Sequence, residues 1–218
     1  LAKLLTVAGY DTAGFVGYFA LGSEPGLDKG FRTFRLDKVE DHAHDTRALD
    51  TEMKGFTAAI DWIREWQERG PGPGGGAGSG RADPFFVWLH AQQMHEADPP
   101  KPYDTLYMNV PREHDVRGFA KGTFNIRCFD DLLQAYLDGD LTPEMQQQIL
   151  ALYDGEIRLV DDTLAKLLGT LRQTGLYDDT VIVIVADHGE MFFEKPGGPF
   201  GVVEPGHTAT YFDEVLRV

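Results

Sequence analysis

The chain has 218 residues, of which 42% are hydrophobic and 11% aromatic, enough for one large domain with a buried core, and this composition argues against global disorder. Its formal net charge of −15 argues against nucleic acid or an anionic membrane surface as the main partner. The single cysteine, Cys128, excludes an internal disulfide, and no apolar run approaches the roughly 20 residues of a membrane span.

The first predicted elements are a helix end, a strand and a long helix. Residues 1–9 have the apolar pattern of the last turns of a helix, which Gly9 closes. A short strand is predicted at 13–19. From 45 to 69, apolar residues recur at spacings of three and four, which predicts an amphipathic helix packed on a core.

The middle of the chain combines a loop and a second strand. Residues 70–83 are rich in Gly and Pro and predict a flexible surface loop inside one domain. The apolar segment 84–90 predicts a buried strand, and polar side chains follow it, among them His90 and His95. In open α/β sheets ligand sites collect where the strands end, so both histidines are of functional interest.

A long helix and a third strand follow. Thr142 suits the N-cap, Pro143 the first helical position, and Glu144 the positive end of the helix dipole. Gly175 is predicted to end this helix. The run 181–185 is β-branched throughout, with no alternation of polar and apolar positions. It predicts a strand buried on both faces, as in the parallel sheet of an α/β protein.

Ionisable side chains stand directly after this third strand. Asp187 and His188 offer a hard oxygen and an imidazole nitrogen, both of which are metal ligands. Gly189 allows the backbone to turn sharply behind them. The alternative interpretation is an Asp that caps the next segment beside a surface His. The motif alone, being short, leaves both interpretations open.

An ordered set of motifs resembles the sulfatase family, of the alkaline-phosphatase-like superfamily. The motifs are Tyr-Asp-Gly-Glu-Ile at 153–157, Asp-Asp at 161–162, Gly-Leu-Tyr-Asp-Asp-Thr at 175–180, Asp-His-Gly-Glu at 187–190 and Tyr-Phe-Asp-Glu-Val-Leu-Arg-Val at 211–218. The resemblance implies an α/β fold with a mainly parallel central sheet flanked by helices on both faces. It further implies that residues 1–218 are part of a single catalytic domain, whose nucleophile segment and C-terminal part lie outside them.

The resemblance also implies a metal site. In sulfatases, the Asp and the His or Asn at the end of this strand bind a divalent cation, usually calcium, and Asp187 and His188 match these positions. Imidazole is a poor ligand for hard calcium, so His188 leaves manganese, magnesium or zinc open as alternatives.

Two other histidines match catalytic positions of the family. His95 matches a residue that contacts the sulfate and the leaving group, and His207 is the closest match to a basic residue that reaches the ester oxygens. Lys195 is a weaker match for the second role. His90 is interpreted as a structural, hydrogen-bonded histidine. For His95 and His207 the alternative is a loop histidine without a role.

The chain departs from the family pattern in three respects, one of which is that the N-terminal Asp pair that completes the family's metal site is missing. Many sulfatases carry Gly-Lys-Trp-His-Leu-Gly where this chain has Gly-Tyr-Phe-Ala-Leu-Gly at 17–22, without the two basic residues. The nucleophile motif Cys/Ser-x-Pro-x-Arg, whose first residue becomes formylglycine in the family, is absent, and Cys128 lacks its Pro and Arg. In family order this motif precedes residue 1, so residues 1–218 alone are expected to be inactive.

The function implied by the resemblance is metal-dependent hydrolysis of a sulfate ester, on a small molecule or a carbohydrate, by the intact protein. One alternative is a phosphodiester or phosphonate monoester hydrolase of the same superfamily, because the two ester groups share their shape. The other is a non-catalytic family member or an inactive fragment. The sequence makes no prediction about oligomeric state or localisation.

Overall fold

The computed structural model describes residues 1–17, 21, 26–36, 53–69, 84–95, 99–109, 142–190 and 192. Its helices and strands in chain order are α1 (Ala2–Val7), β1 (Asp11–Val16), β2 (Thr33–Leu36), α2 (Lys54–Arg69), β3 (Phe85–His90) and α3 (Pro143–Gln173). Single 3-10 turns occupy Gln93–His95, Tyr103–Thr105 and Tyr177–Asp179. The chain divides into a first unit, Leu1–His95 with Ile157–Thr180, and a second unit, Glu96–Glu156 with Val181–Val218.

The first unit is built on a parallel sheet of strand order β2-β1-β3. In its register, Ala13 of β1 lies beside Thr33 of β2 and Val87 of β3. Parallel strands need long crossover connections, and α2 lies in the connection from β2 to β3. The predicted α/β class with a parallel sheet is therefore confirmed, and β1 and β3 occupy the predicted strand regions.

The core of the first unit lies between one face of this sheet and the two long helices. Phe15 and Ala13 of β1 are fully buried against α2, together with Leu171 of α3. The predicted helix at 45–69 is confirmed over Lys54–Arg69. Its buried face includes Trp62 and Trp66, and the rings of Trp66 and Phe85 meet edge to face at a centroid distance of 5.0 Å. Large aromatic rings bury much apolar area, so these two side chains contribute strongly to the packing of α2 on the sheet.

The opposite face of the sheet is covered by α1 and by aromatic rings. The Thr6 hydroxyl of α1 lies 2.8 Å from the Thr12 hydroxyl of β1. Phe31 stacks on Phe86 and Trp88 of β3, with ring centroids 6.0 Å and 5.9 Å apart. Both faces are thus covered, as expected for a sheet with parallel strands.

Both ends of α3 agree with the sequence prediction. Thr142 caps the helix: its side-chain oxygen accepts a hydrogen bond from the Met145 N–H at 3.3 Å, which satisfies one of the free donors of the first turn. After the last turn, Gly175 adopts a φ of +71°, the left-handed conformation that commonly ends a helix. The predicted helix between Thr142 and Gly175 is confirmed.

Two glycines inside α3 have opposite surroundings and give the first testable prediction. A Cβ on Gly155 would stand 2.5 Å from the Tyr103 carbonyl oxygen and 2.9 Å from Pro99 Cγ, whereas no atom of the described residues lies within 4 Å of one on Gly169. We expect Gly155→Ala to lower the free energy of unfolding by about 2 kcal/mol, because backbone atoms must separate. Gly169→Ala should raise it by about 1 kcal/mol through helix propensity. Urea unfolding followed by circular dichroism measures both free energies. If the two variants change the free energy of unfolding in the same direction, the described surroundings of Gly155 or Gly169 are wrong.

The prediction of a strand buried on both faces at 181–185 is wrong. These residues enter no strand ladder within the described part of the chain, and their side chains face solvent, Val181 being 90% and Val185 82% exposed. A run of β-branched residues favours an extended backbone. A strand forms only where a neighbouring strand satisfies its N–H and C=O groups.

Several predictions lie outside the described residues, namely the loop at 70–83 and the surroundings of Cys128. The single domain over 1–218 stays a prediction. None of the helices in the described ranges combines the length and the apolar character that a membrane span requires.

Candidate functional site

The turn at 187–190, in the second unit, holds the predicted metal ligands. The His188 backbone N–H donates to Asp187 Oδ1 at 3.1 Å, and the chain bends at these two residues. His188 Nδ1 lies 2.8 Å from the Gly189 carbonyl oxygen. Since a carbonyl can only accept, Nδ1 carries the proton in the neutral ring, and the lone pair resides on Nε2. A backbone carbonyl on one ring nitrogen is the usual partner of a metal-binding histidine.

The two donor atoms of the pair fit one cation. His188 Nε2 and Asp187 Oδ1 are 3.7 Å apart. Two ligands that each stand about 2.0–2.4 Å from a shared cation lie within about 4–5 Å of one another, so the observed separation is compatible with a common ion. The Asp187 side chain is 80% exposed and that of His188 36%, so an ion has access to both.

The pair is an incomplete ligand set within the part of the chain that the structure describes. No group of three or more His, Cys, Asp or Glu side chains suited to a metal occurs among those residues. A divalent ion takes at least four ligands in a structural zinc site and six to eight in a calcium site. Asp187 and His188 would therefore supply two of the ligands that such an ion needs.

An aromatic contact lies beside this turn. The edge of the Tyr153 ring, on α3, meets Phe192 at a centroid distance of 4.8 Å and an interplanar angle of 69°. Burial raises the pKa of the Tyr153 hydroxyl, and the carboxylates of Glu190 and Asp154 raise it further. The hydroxyl is therefore neutral at pH 7. From the sequence, Tyr153 counts only as one apolar position of the helix and one letter of a motif, because Phe192 is distant along the chain.

Only some of the other predicted site residues lie in the part of the chain that the structure describes. His95 ends the 3-10 turn Gln93–His95 that follows β3 in the first unit. His90 is the last residue of β3, paired in register with Val16 of β1 and half-buried. His207 and Lys195 lie outside the described residues. The roles of all four stay predictions.

Comparison with known families agrees with the motif order. A family model described as Sulfatase matches residues 1–212, nearly the whole chain. The match confirms the resemblance drawn from the motifs, and with it the alkaline-phosphatase-like α/β fold. Members of this family act on sulfate esters and generally use a divalent metal ion.

Proposed function

The chain belongs to the sulfatase family, and from this premise we propose that the protein hydrolyses a sulfate ester with a divalent cation bound by Asp187 and His188. One observation carries the metal assignment: His188 Nε2 and Asp187 Oδ1 lie 3.7 Å apart, with the histidine tautomer set by Gly189. The same spacing also suits a surface Asp–His ion pair, and the Nε2 lone pair that the Gly189 carbonyl leaves available is what supports the metal interpretation.

The chemistry of the reaction assigns roles to the chain's own residues. A sulfate ester has nonbridging oxygens that must be neutralised and a leaving oxygen that must be protonated. A bound cation supplies the Lewis acid for the first task. We assign His95 and His207 to the second, as hydrogen-bond donors to the ester oxygens or as the general acid for the leaving group. The nucleophile is not assigned, because the family motif for it is absent from residues 1–218.

The donor set bears on which cation binds. Calcium prefers oxygen ligands, and an imidazole nitrogen is better matched to manganese or zinc. Calcium is the usual ion of the family, and we propose it as the resident ion, with manganese, magnesium and zinc as the competitors. Isothermal titration of the metal-free chain with each ion ranks them directly.

The substrate is proposed to be a small-molecule or carbohydrate sulfate ester. The net charge of −15 repels anionic molecules. An anionic ester therefore needs the local positive charge of the cation in order to bind. The phosphate-ester alternative differs in the nucleophile and in the number of metal ions. A comparison of both ester classes therefore decides between them.

The activity assay uses protein expressed from the complete coding region and loaded with calcium or manganese. We expect sulfate release from aryl sulfates or from sulfated sugars, measured by ion chromatography, and little phosphate release from phosphodiesters. Faster turnover of phosphodiesters or phosphonate monoesters would move the assignment to that chemistry. No turnover of either class, with the metal bound, would favour a non-catalytic family member.

A further inference from the structure

We propose that Tyr153 is a positioning residue that holds the turn at 187–190 against α3 through its contact with Phe192. The inference rests on the proposed function in one respect: it takes this turn to be the metal-binding segment. Tyr153 itself is not a ligand in this proposal. It acts by restricting where Asp187 and His188 can stand.

The helix on one side of the contact is firmly fixed within the second unit. Leu152, next to Tyr153 in α3, is fully buried, and Glu156 one turn later is 3% exposed. Between them Gly155 lies directly on the Tyr103 backbone. A side chain mounted on this stretch of helix therefore has a defined position, which is what an anchor for a turn requires.

The turn on the other side is shaped by short-range bonds. The two hydrogen bonds that define it connect His188 to its neighbours Asp187 and Gly189. Such bonds fix the local conformation without fixing where the turn lies. The Phe192 ring follows the turn by two residues and packs edge-on against Tyr153, which connects the turn to α3.

The position of the turn matters because a metal site tolerates little displacement. Ligand atoms have to be held within about 0.5 Å of their productive places, by neighbours that are themselves packed. Residues that support the ligands without touching the ion change metal affinity by about tenfold to a hundredfold when they are replaced. In this proposal the Tyr153–Phe192 contact supports the ligands in the same way. The Asp187 side chain is 80% exposed and so has little packing of its own to hold it in place.

The test compares Tyr153→Ala with Tyr153→Phe, which keeps the ring. We expect Tyr153→Ala to speed backbone hydrogen exchange at 187–190 in the metal-free chain, measured by mass spectrometry. It should also weaken Mn²⁺ binding about tenfold in isothermal titration. Tyr153→Phe should leave both within about twofold of the wild type, because the edge-on contact is preserved.

A matched control and a second variant separate positioning from folding. Tyr177→Ala removes another half-buried ring, in the first unit, over which the Arg172 guanidinium lies at 4.2 Å, and it should leave exchange at 187–190 and Mn²⁺ affinity unchanged. Phe192→Ala breaks the proposed contact from the other side and should reproduce both effects, even if Tyr153→Ala fails to fold.

The two hypotheses fail in different ways. Exchange at 187–190 that is unchanged in a folded Tyr153→Ala or Phe192→Ala variant overturns the positioning role, whatever the metal affinity. A wild-type chain that binds no divalent cation overturns the metal assignment, and the exchange measurement then decides the positioning role by itself.

Discussion

Replacing Asp187 with Ala should weaken divalent-cation binding by at least about a hundredfold, because even residues that only support metal ligands change affinity by tenfold to a hundredfold. The variant removes the Oδ1 atom that stands 3.7 Å from His188 Nε2. It also removes the acceptor of the His188 backbone N–H, so the turn loses its internal bond. Isothermal titration with Ca²⁺ and Mn²⁺ measures the loss, and turnover of a sulfate ester by the intact protein should fall in parallel.

The control for this variant is Asp178→Ala. Asp178 is an exposed carboxylate in the turn Tyr177–Asp179, and its replacement removes the same formal charge from the same chain. It should leave the affinity unchanged, since Asp178 is not one of the proposed ligands and salt screens an exposed charge. Equal losses in the two variants would mean that the cation responds to net charge, and the assigned ligand pair would then be wrong.

Replacing Phe15 with Ala should lower the free energy of unfolding by about 4 kcal/mol, the largest effect on stability that we expect from one side chain. Phe15 is fully buried in the middle strand of the sheet, between α2 and α3. Its removal leaves a cavity lined by helices and strands that cannot close independently. Chemical denaturation followed by tryptophan fluorescence reports the change, because Trp62 and Trp66 lie in the same core.

Two further variants bracket this effect. Phe15→Leu keeps most of the volume and should cost less than about 1.5 kcal/mol. Val7→Ala truncates an apolar side chain that is 81% exposed and should stay within about 0.5 kcal/mol of the wild type. If Phe15→Ala destabilises the chain no more than Val7→Ala does, the described core is not the one that stabilises the first unit.

The sequence was most informative where the structure depends on neighbours along the chain. The ends of α3 follow from Thr142 and Gly175, because an N-cap and a left-handed glycine act within one turn of the helix. The family, likewise, could be read from the order of the motifs, which the match over 1–212 confirms. Asp187 and His188 could be proposed as a pair from the sequence because they are adjacent, and the structure places Asp187 Oδ1 3.7 Å from His188 Nε2.

Tertiary contacts decided the features that the sequence predicted wrongly or did not predict. The β-branched run at 181–185 predicts extended backbone, yet whether it becomes a buried strand depends on a partner strand elsewhere in the chain, and its side chains are exposed. Trp62 and Trp66 lie on the buried face of α2, in one core cluster with Ala13 and Phe15 of the sheet. The Tyr153–Phe192 contact joins residues 39 positions apart.

The sequence by itself determined the α/β class, the two ends of α3 and the family, and it proposed Asp187 and His188 as a metal-binding pair. These depend on periodicity, on capping and on motif order, which are properties of short segments. Only the tertiary structure decided the strand order β2-β1-β3, the packing of α2 on the sheet and the contact between Tyr153 and Phe192. Each of these depends on atoms that the backbone must first bring together, and local preferences carry no information about that meeting.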